Sequence, residues 1–183
     1  MQLYVNLGEN IMNRFLHEIY VSNISTILIA MPILLLVWSV IGAAFYKYMR
    51  IIGAVLAVIA IGAILYATVI SRGKSGAGAD FVPFSSFARA KIQPEMYRSM
   101  LMNVFLFVPL GLLLPFVFSG GTTKRILLTI LVGMLLSLVV EVIQYFAHLG
   151  MAEIDDVICN TVGTSIGSCA YLLMLLWRKI VKR

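Results

Sequence analysis

Five long apolar runs constrain this chain more than any other feature of its sequence. They cover residues 24–46, 51–70, 100–118, 126–146 and 156–177. About 20 apolar residues in a helix cross the hydrocarbon core of a bilayer. Because backbone groups in lipid must pair within their own segment, helices are favoured over strands. A hydrophobic fraction of 61% also excludes an ordinary soluble domain. We therefore expect an all-α integral membrane protein, a single domain over residues 1–183 with five transmembrane helices.

The segment before the first apolar run has an amphipathic pattern. Ile11, Phe15 and Ile19 recur at helical spacing, with polar residues between them. This pattern is typical of a short interfacial helix, and a partly ordered tail is the alternative. We expect no cleavable signal peptide, because the first apolar run is already long enough to span the membrane.

The positive charge of the chain, +6, is explained by membrane topology. Four basic residues end the chain directly after the last apolar run, which is typical of a cytoplasmic anchor: Arg178, Lys179, Lys182 and Arg183. Placing them inside gives eight basic residues inside and six outside. We expect the N-terminus outside and the C-terminus in the cytoplasm. The sequence has no interleaved basic and aromatic surface of the kind that binds nucleic acid.

Two connections lie on the same membrane face, because two predicted helices separate them. Residues 71–99 are basic and include Arg89 and Arg98, whereas residues 147–155 contain acids and no Lys or Arg. In the expected orientation this shared face is the outer one. Basic and acidic loops are therefore expected to meet at the outer surface.

The longer connection, 71–99, also carries an aromatic motif, "FVPFSSFA". Pro83 biases the residue before it towards an extended conformation. Phe84 and the neighbouring Phe residues supply apolar bulk at the membrane edge. Two interpretations fit this pattern: a re-entrant or interfacial segment, and a surface loop that rests its Phe residues among lipid headgroups.

The fourth and fifth apolar runs each have polar and small residues along one helix face. On the fourth run these are Gly133, Ser137, Glu141 and Gln144; on the fifth they are Asp156, Asn160, Gly163 and Gly167. An ionisable residue within a membrane helix is costly and suggests a functional site. Gly163 and Gly167 form a GxxxG pair, which lets a neighbouring backbone approach closely.

The polar residues are expected to converge near one membrane face. The third run adds Asn103, together with Gly111 and with Pro109, which is expected to kink its helix. From the helical rise, Asn103, Glu141, Gln144, Asp156 and Asn160 lie within about 10 Å of the face that bears residues 71–99. We expect a polar pocket open to that side. The alternative is that Asn and Gln side chains bridge helices, and that Glu153 and Asp155 are only capping and solvated charges.

The sequence offers few groups for catalysis. Glu141 and Asp156 are the candidate catalytic pair, since two carboxylates in different environments can divide acid and base roles. We find no convincing nucleophile, no metal-ligand spacing and no reason to expect a cofactor. Cys159 and Cys169 lie on one predicted helix, too far apart to form a disulfide.

Four elements in order make the chain resemble the VanZ-like family of integral membrane proteins. They are "FVPFSSF", "MNVFLFVPLGLLLP", "SLVVEVIQYF" and "EIDDVICNTVGTSIG", which together span residues 81–167. The resemblance implies that the positions of interest are Pro83, Phe84, Asn103, Pro109, Gly111, Glu141, Gln144, Asp156, Asn160 and Gly163. Many members carry an Arg where this chain has Gly150. Another cation would then have to serve the acids: His148, Arg72, Arg89 or Arg98.

The resemblance also implies a function, because the family is named for a teicoplanin-resistance factor of the bacterial cell membrane. The expected partners are membrane lipids and an amphipathic ligand, either teicoplanin or a lipid-linked peptidoglycan precursor. One alternative is an intramembrane enzyme that acts on a lipid or glycan head group. Another is a small transporter or flippase, whose pathway a homo-oligomer built on exposed Gly53, Ala57 and Ala60 would complete. The sequence does not fix the oligomeric state.

Overall fold

The structure of the protein is a computed structural model that describes residues 24–75, 78–93 and 95–181. The helices are α1 (Ile24–Ala44), α2 (Met49–Leu65), α3 (Ser85–Ala90), α4 (Glu95–Val117), α5 (Thr122–Phe146) and α6 (Ile154–Val181). A π-helical turn, Tyr66–Ile70, continues α2, and strands β1 (Gly78–Asp80) and β2 (Met151–Glu153) pair in parallel. The predicted interfacial helix falls in residues 1–23, outside the described residues.

Four of the described helices are long and apolar enough to cross a membrane. They are Met49–Ile70, Glu95–Val117, Thr122–Phe146 and Ile154–Ile180, and a fifth apolar helix, Leu28–Ala44, is shorter. The predicted all-α membrane class is confirmed, and the chain is a multi-pass membrane protein.

Several helices extend beyond the apolar runs that predicted them. Helix α4 begins at Glu95 and α5 begins at Thr122, each several residues before its apolar run. Hydropathy marks only the part of a helix that lies in hydrocarbon. Backbone hydrogen bonding continues through polar residues, so these helices begin before their apolar runs.

Helices α4 and α6 run in parallel through the centre of the bundle and pack backbone to backbone. A Cβ atom at Gly163 would collide with the carbonyl of Val104, and one at Gly167 would collide with the carbonyl of Val108. A Cβ at Gly111 would in turn lie 2.7 Å from the Cα of Gly167. The GxxxG pair therefore lies against α4, where only glycine fits this close contact.

The remaining spanning helices surround this pair. Helix α5 runs antiparallel to α6, and its Gly133 lies against Thr164. Helix α1 is tied to α4 by the Trp38 indole, which donates to the carbonyl of Leu112 at 2.9 Å. The expectation that Gly53 and Ala57 are exposed for oligomerisation is wrong, because both are buried within the chain. A Cβ at Gly53 would lie 3.0 Å from the carbonyl oxygen of Leu113 on α4.

The bundle has two ends that differ in charge. At the acid end α4 and α6 begin and α5 finishes, and all described carboxylates lie there: Asp80, Glu95, Glu141, Glu153, Asp155 and Asp156. At the basic end α2 and α5 begin and α6 finishes. Its described charged residues are all cations: Lys47, Arg50, Lys124, Arg125, Arg178 and Lys179.

Candidate functional site

Three of the predicted site residues meet at the acid end. Glu141 on α5 is 7% exposed, and its Oε2 accepts a hydrogen bond from the backbone N–H of Glu153 at 3.0 Å. Asp156, in the first turn of α6, accepts a hydrogen bond from the side chain of Asn103 on α4. The carboxylates of Glu141 and Asp156 are close enough to interact electrostatically. Helices α4, α5 and α6 thus bring a carboxylate pair and an amide together.

Arg72 is a cation that interacts with this carboxylate pair. It follows the end of the π-helical turn and interacts electrostatically with both Glu141 and Asp156. Its Nη1 lies 3.5 Å from the place a Cβ would take at Gly150. Gly150 has a φ of 147°, a conformation that disfavours any side chain. In this backbone the guanidinium beside Gly150 therefore comes from Arg72.

Arg89 and His148, two other cations proposed from the sequence, make their contacts with other residues. Arg89 pairs with Asp80 at 3.0 Å and with Glu153 at 3.4 Å. Arg98 is half-buried in α4, five residues before Asn103. His148 is exposed with a φ of 55°, and its carbonyl accepts a hydrogen bond from the amide of Ser75 at 2.9 Å.

Gln144 and Asn160 join helices. The Gln144 Nε2 donates to the carbonyl of Thr68 in the π-helical turn at 2.9 Å. The Asn160 Nδ2 donates to the hydroxyl of Ser137 at 2.8 Å, which links α6 to α5. Both amides are buried, and their side-chain oxygens accept no hydrogen bond from the described residues. These contacts match the alternative in which Asn and Gln side chains bridge helices.

Residues 78–90 are the part of the long connection that lies against β2 and the start of α6. We call them the docked segment. Strand β1 pairs with β2, so that Asp80 lies opposite Glu153. Asp80 accepts a hydrogen bond from Ser85 at 2.7 Å, and Glu153 accepts one from Ser86 at 2.8 Å. Arg89 lies between the two carboxylates. A network of hydrogen bonds and ion pairs therefore fixes this segment at the acid end.

Asp155 anchors the docked segment, and the alternative in which it is only a solvated charge is wrong, because the residue is buried. Its side chain is 1% exposed. One carboxylate oxygen accepts the N–H of Phe84 at 2.6 Å and the other accepts the N–H of Ser86 at 2.7 Å. Phe84 has a φ of 65°, directly before α3 begins. The buried carboxylate thus caps the start of α3 on a different part of the chain.

The pKa of Asp80 is lowered by the same network. The hydrogen bond from Ser85 lowers this pKa most, followed by the amide of Val82 and the charge of Arg89. The ionised form of Asp80 is therefore favoured in the docked segment.

The aromatic residues of the docked segment face outward. Phe81 is 73% exposed and Phe84 is 60% exposed, and Pro83 between them is also exposed. The Phe84 and Phe87 rings contact each other with centroids 5.9 Å apart. This exposed apolar surface lies at the acid end of the bundle.

A cavity of about 300 Å³ is lined by both acidic and apolar side chains. Glu141 and Glu153 border it, and Phe81 lines it from the docked segment. The rest of the wall is apolar and aromatic: Leu138, Val142, Tyr145, Phe146, Ala152 and Val157 among others. Asn103 and Asp156 do not line this cavity. Glu141 is therefore the residue shared by the cavity and the carboxylate pair.

Within residues 24–75, 78–93 and 95–181, no group of three or more His, Cys, Asp and Glu side chains is placed to hold a metal ion. Both cysteines are free thiols, Cys159 buried and Cys169 exposed.

Comparison with known proteins identifies the family. The family model for VanZ/LLP1 matches residues 54–177. Protein VanZ from Enterococcus faecium is 40% identical over 77 residues, which cover 41% of this chain and 45% of that protein. The matched segment thus spans less than half of that relative. No solved structure matches the chain significantly. The family match covers most of the spanning helices and the carboxylate pair, and the chain belongs to the VanZ/LLP1 family.

Proposed function

We propose that this protein contributes to glycopeptide resistance by binding an amphipathic molecule at the acid end. The ligand is teicoplanin itself or a lipid-linked cell-wall intermediate. Support comes from the family, from the similarity to Protein VanZ and from the site. The observation that carries the proposal is that Glu141 belongs both to a carboxylate pair and to the wall of a largely apolar cavity.

The cavity has the two kinds of surface that an amphipathic ligand requires. Its carboxylates can accept hydrogen bonds from hydroxyl, amide or ammonium groups of a head group. The apolar wall on α5 and α6 can contact an acyl chain. A volume of about 300 Å³ lies at the lower end of the range for small-molecule sites. Exposed Phe81 and Phe146 extend the apolar surface towards the lipid.

The proposed orientation places the acid end outside the cell. The basic end carries the cations near the C-terminus, which favours a cytoplasmic location for that end. Lipid-linked wall precursors and glycopeptides are encountered at the outer surface. An outward acid end would put the site where these ligands are.

Drug susceptibility tests the proposal. Cells that produce the protein should withstand more teicoplanin, with little change for vancomycin, which lacks the acyl tail. The Glu141→Gln variant should lose most of this protection, and Asp156→Asn should lose part of it, because Asp156 interacts with Glu141 but does not line the cavity. A charge-assisted hydrogen bond contributes about 1.5–3 kcal/mol, which is roughly a tenfold to hundredfold change in affinity.

A Glu95→Gln variant is the matched control, because Glu95 is an exposed carboxylate at the same end. All variants should reach the membrane in equal amounts, measured by immunoblot. Equal protection against both drugs would contradict recognition of an acyl tail. Full protection by both site variants would contradict a role for the carboxylate pair.

The carboxylate pair also favours a second candidate, an enzyme that acts on a lipid or glycan head group. Two neighbouring carboxylates of different surroundings can serve as acid and base. A purified lipid-linked substrate should then be converted by the wild type. Glu141→Gln should abolish turnover while substrate binding persists. Absence of turnover by the wild type would leave binding as the function.

A further inference from the structure

A separate cavity of about 210 Å³ lies at the basic end, away from the carboxylate pair. It is formed by the turn before α2, the first residues of α2, the end of α4 and the start of α5. Three cations line it: Lys47, Arg50 and Arg125. Tyr46 and Ser119 add hydroxyl groups to the wall. The lining is therefore suited to an anion with several hydrogen-bond acceptors.

No carboxylate of the described residues lies at this end of the bundle to neutralise these cations. The ion pairs of Asp80 and Glu153 are made with Arg89, at the acid end. Cations gathered in one cavity repel one another. An external anion would offset that repulsion, because no carboxylate of the described residues lines the cavity.

The start of two helices adds to the positive potential. Met49 and Arg50, the first residues of α2, line the cavity, and so does Arg125 in the first turn of α5. Neither helix has an acidic residue in its first turn or a side-chain hydrogen bond at its N-cap. The positive ends of both helix dipoles therefore lack an anionic partner.

Arg125 is held in place before any ligand arrives. Its Nε donates to the carbonyl of Gly120 at 2.9 Å and its Nη1 to the carbonyl of Pro115 at 3.3 Å. The guanidinium also lies 5.8 Å from the centre of the Tyr171 ring. An Arg side chain has more N–H groups than these bonds use, and it binds phosphate in a bidentate manner. Its remaining donors are available for an anion.

We propose that this cavity binds the phosphate of an anionic phospholipid. It lies at the end of the spanning helices, where the partly exposed Phe118 gives it an apolar side and the buried Met49 and Phe116 form its inner wall. A lipid can place its phosphate among the cations and its chains against this side. Basic pockets between membrane helices are known to hold anionic head groups. A zwitterionic lipid is disfavoured, because its own cation would meet Lys47, Arg50 and Arg125.

Native mass spectrometry of the full chain in detergent tests the proposal with two lipids that share the same acyl chains. The probes are dioleoyl phosphatidylglycerol and dioleoyl phosphatidylcholine, and inorganic phosphate is added as a competitor. The wild type should bind the first phosphatidylglycerol molecule about tenfold more tightly than phosphatidylcholine. Inorganic phosphate at equal concentration should displace little of it.

Paired variants separate a site from general surface charge. The double variant Lys47→Gln/Arg50→Gln removes two cations from the cavity. The double variant Lys124→Gln/Lys179→Gln removes two exposed cations at the same end that do not line it. Only the first should lower phosphatidylglycerol affinity by about tenfold or more. Arg125→Gln should do the same if it folds, but the result does not depend on it.

Three outcomes would overturn the proposal. Equal losses in the two double variants would show that only surface charge attracts the lipid. Equal affinity for the two lipids would remove the anionic preference. Displacement of phosphatidylglycerol by an equal concentration of inorganic phosphate would show that the cavity takes a soluble anion.

Discussion

The two ends of the bundle use charge in opposite ways. At the acid end, charged groups bond to other parts of the chain: Arg89 pairs with Asp80 at 3.0 Å, and Asp155 accepts two backbone amides. At the basic end, cations contact rings and carbonyl groups instead. Arg178 lies 3.7 Å from the centre of the Tyr46 ring, and Arg125 donates to Gly120.

This difference in the bonding of charged groups bears on the role of each end of the bundle. Charges that are paired within the chain fix the position of the docked segment, so the acid end is preorganised around Glu141 and Asp156. Cations without carboxylates nearby contribute less to the fold and leave more of their charge for an external anion. The paired charges of the acid end fit the proposed ligand site, and the cations of the basic end fit the proposed lipid site.

Among the substitutions that test the difference between the two ends, Asp155→Ala is expected to have the largest effect on stability. The substitution leaves the amides of Phe84 and Ser86 without their acceptor. Losing two hydrogen bonds to a charged group should lower the free energy of opening the docked segment by about 3 kcal/mol. Hydrogen exchange of these amides should accelerate roughly a hundredfold, while amides in the middle of α4 and α6 stay protected.

The Glu95→Gln variant again provides the control, since it removes one exposed carboxylate from the same end. It should leave exchange in the docked segment unchanged. Unchanged exchange in Asp155→Ala as well would mean that the carboxylate does not hold the segment. The ion pairs of Arg89 would then be the contacts that fix the segment.

Much of the fold follows from local sequence. The lengths of the apolar runs predict membrane helices, and the polar spacing on the fourth and fifth runs predicts buried faces. Asn103, Glu141 and Asp156 meet in the structure because helical periodicity and the order of the spans leave them at one end. The partner of the GxxxG pair was not predictable, since any neighbouring helix with a small residue can accept such a contact. In the structure Gly167 lies against Gly111, and Gly163 lies against the backbone of Val104.

Contacts made by loops could not be predicted in the same way. A loop has no periodicity, so nothing in the sequence pairs Asp155 with the amides of Phe84 and Ser86. The one available signal was the density of acids in "EIDD", within a chain that is only 12% charged. The choice of Arg72 among the candidate cations likewise depends on the backbone at Gly150.

A smaller effect is expected from the titration of Asp80. Its pKa lies below the ordinary value of 3.8, chiefly because Ser85 donates to it. The ionised carboxylate stabilises the docked segment fully above that ordinary value, and the contribution is lost as the pH falls through the lowered pKa. Carboxyl carbon chemical shifts should therefore give a midpoint below 3.8 in the wild type. Ser85→Ala should raise the midpoint, whereas an unchanged midpoint would show that the hydroxyl does not support the charge.

The smallest effect is expected from Arg178→Gln at the basic end, where two contributions oppose each other. The contact of Arg178 with the Tyr46 ring should stabilise the fold by about 1 kcal/mol. Repulsion from neighbouring cations should reduce that gain. Lys179→Gln removes one exposed cation from the same turn of α6, and therefore mainly repulsion. If the ring contact dominates, the thermal midpoint of Arg178→Gln falls by about 2–4 °C while that of Lys179→Gln stays level or rises slightly. A rise of the thermal midpoint in both variants would mean that repulsion among the cations of this end outweighs the ring contact. Added salt should then raise the wild-type midpoint as well.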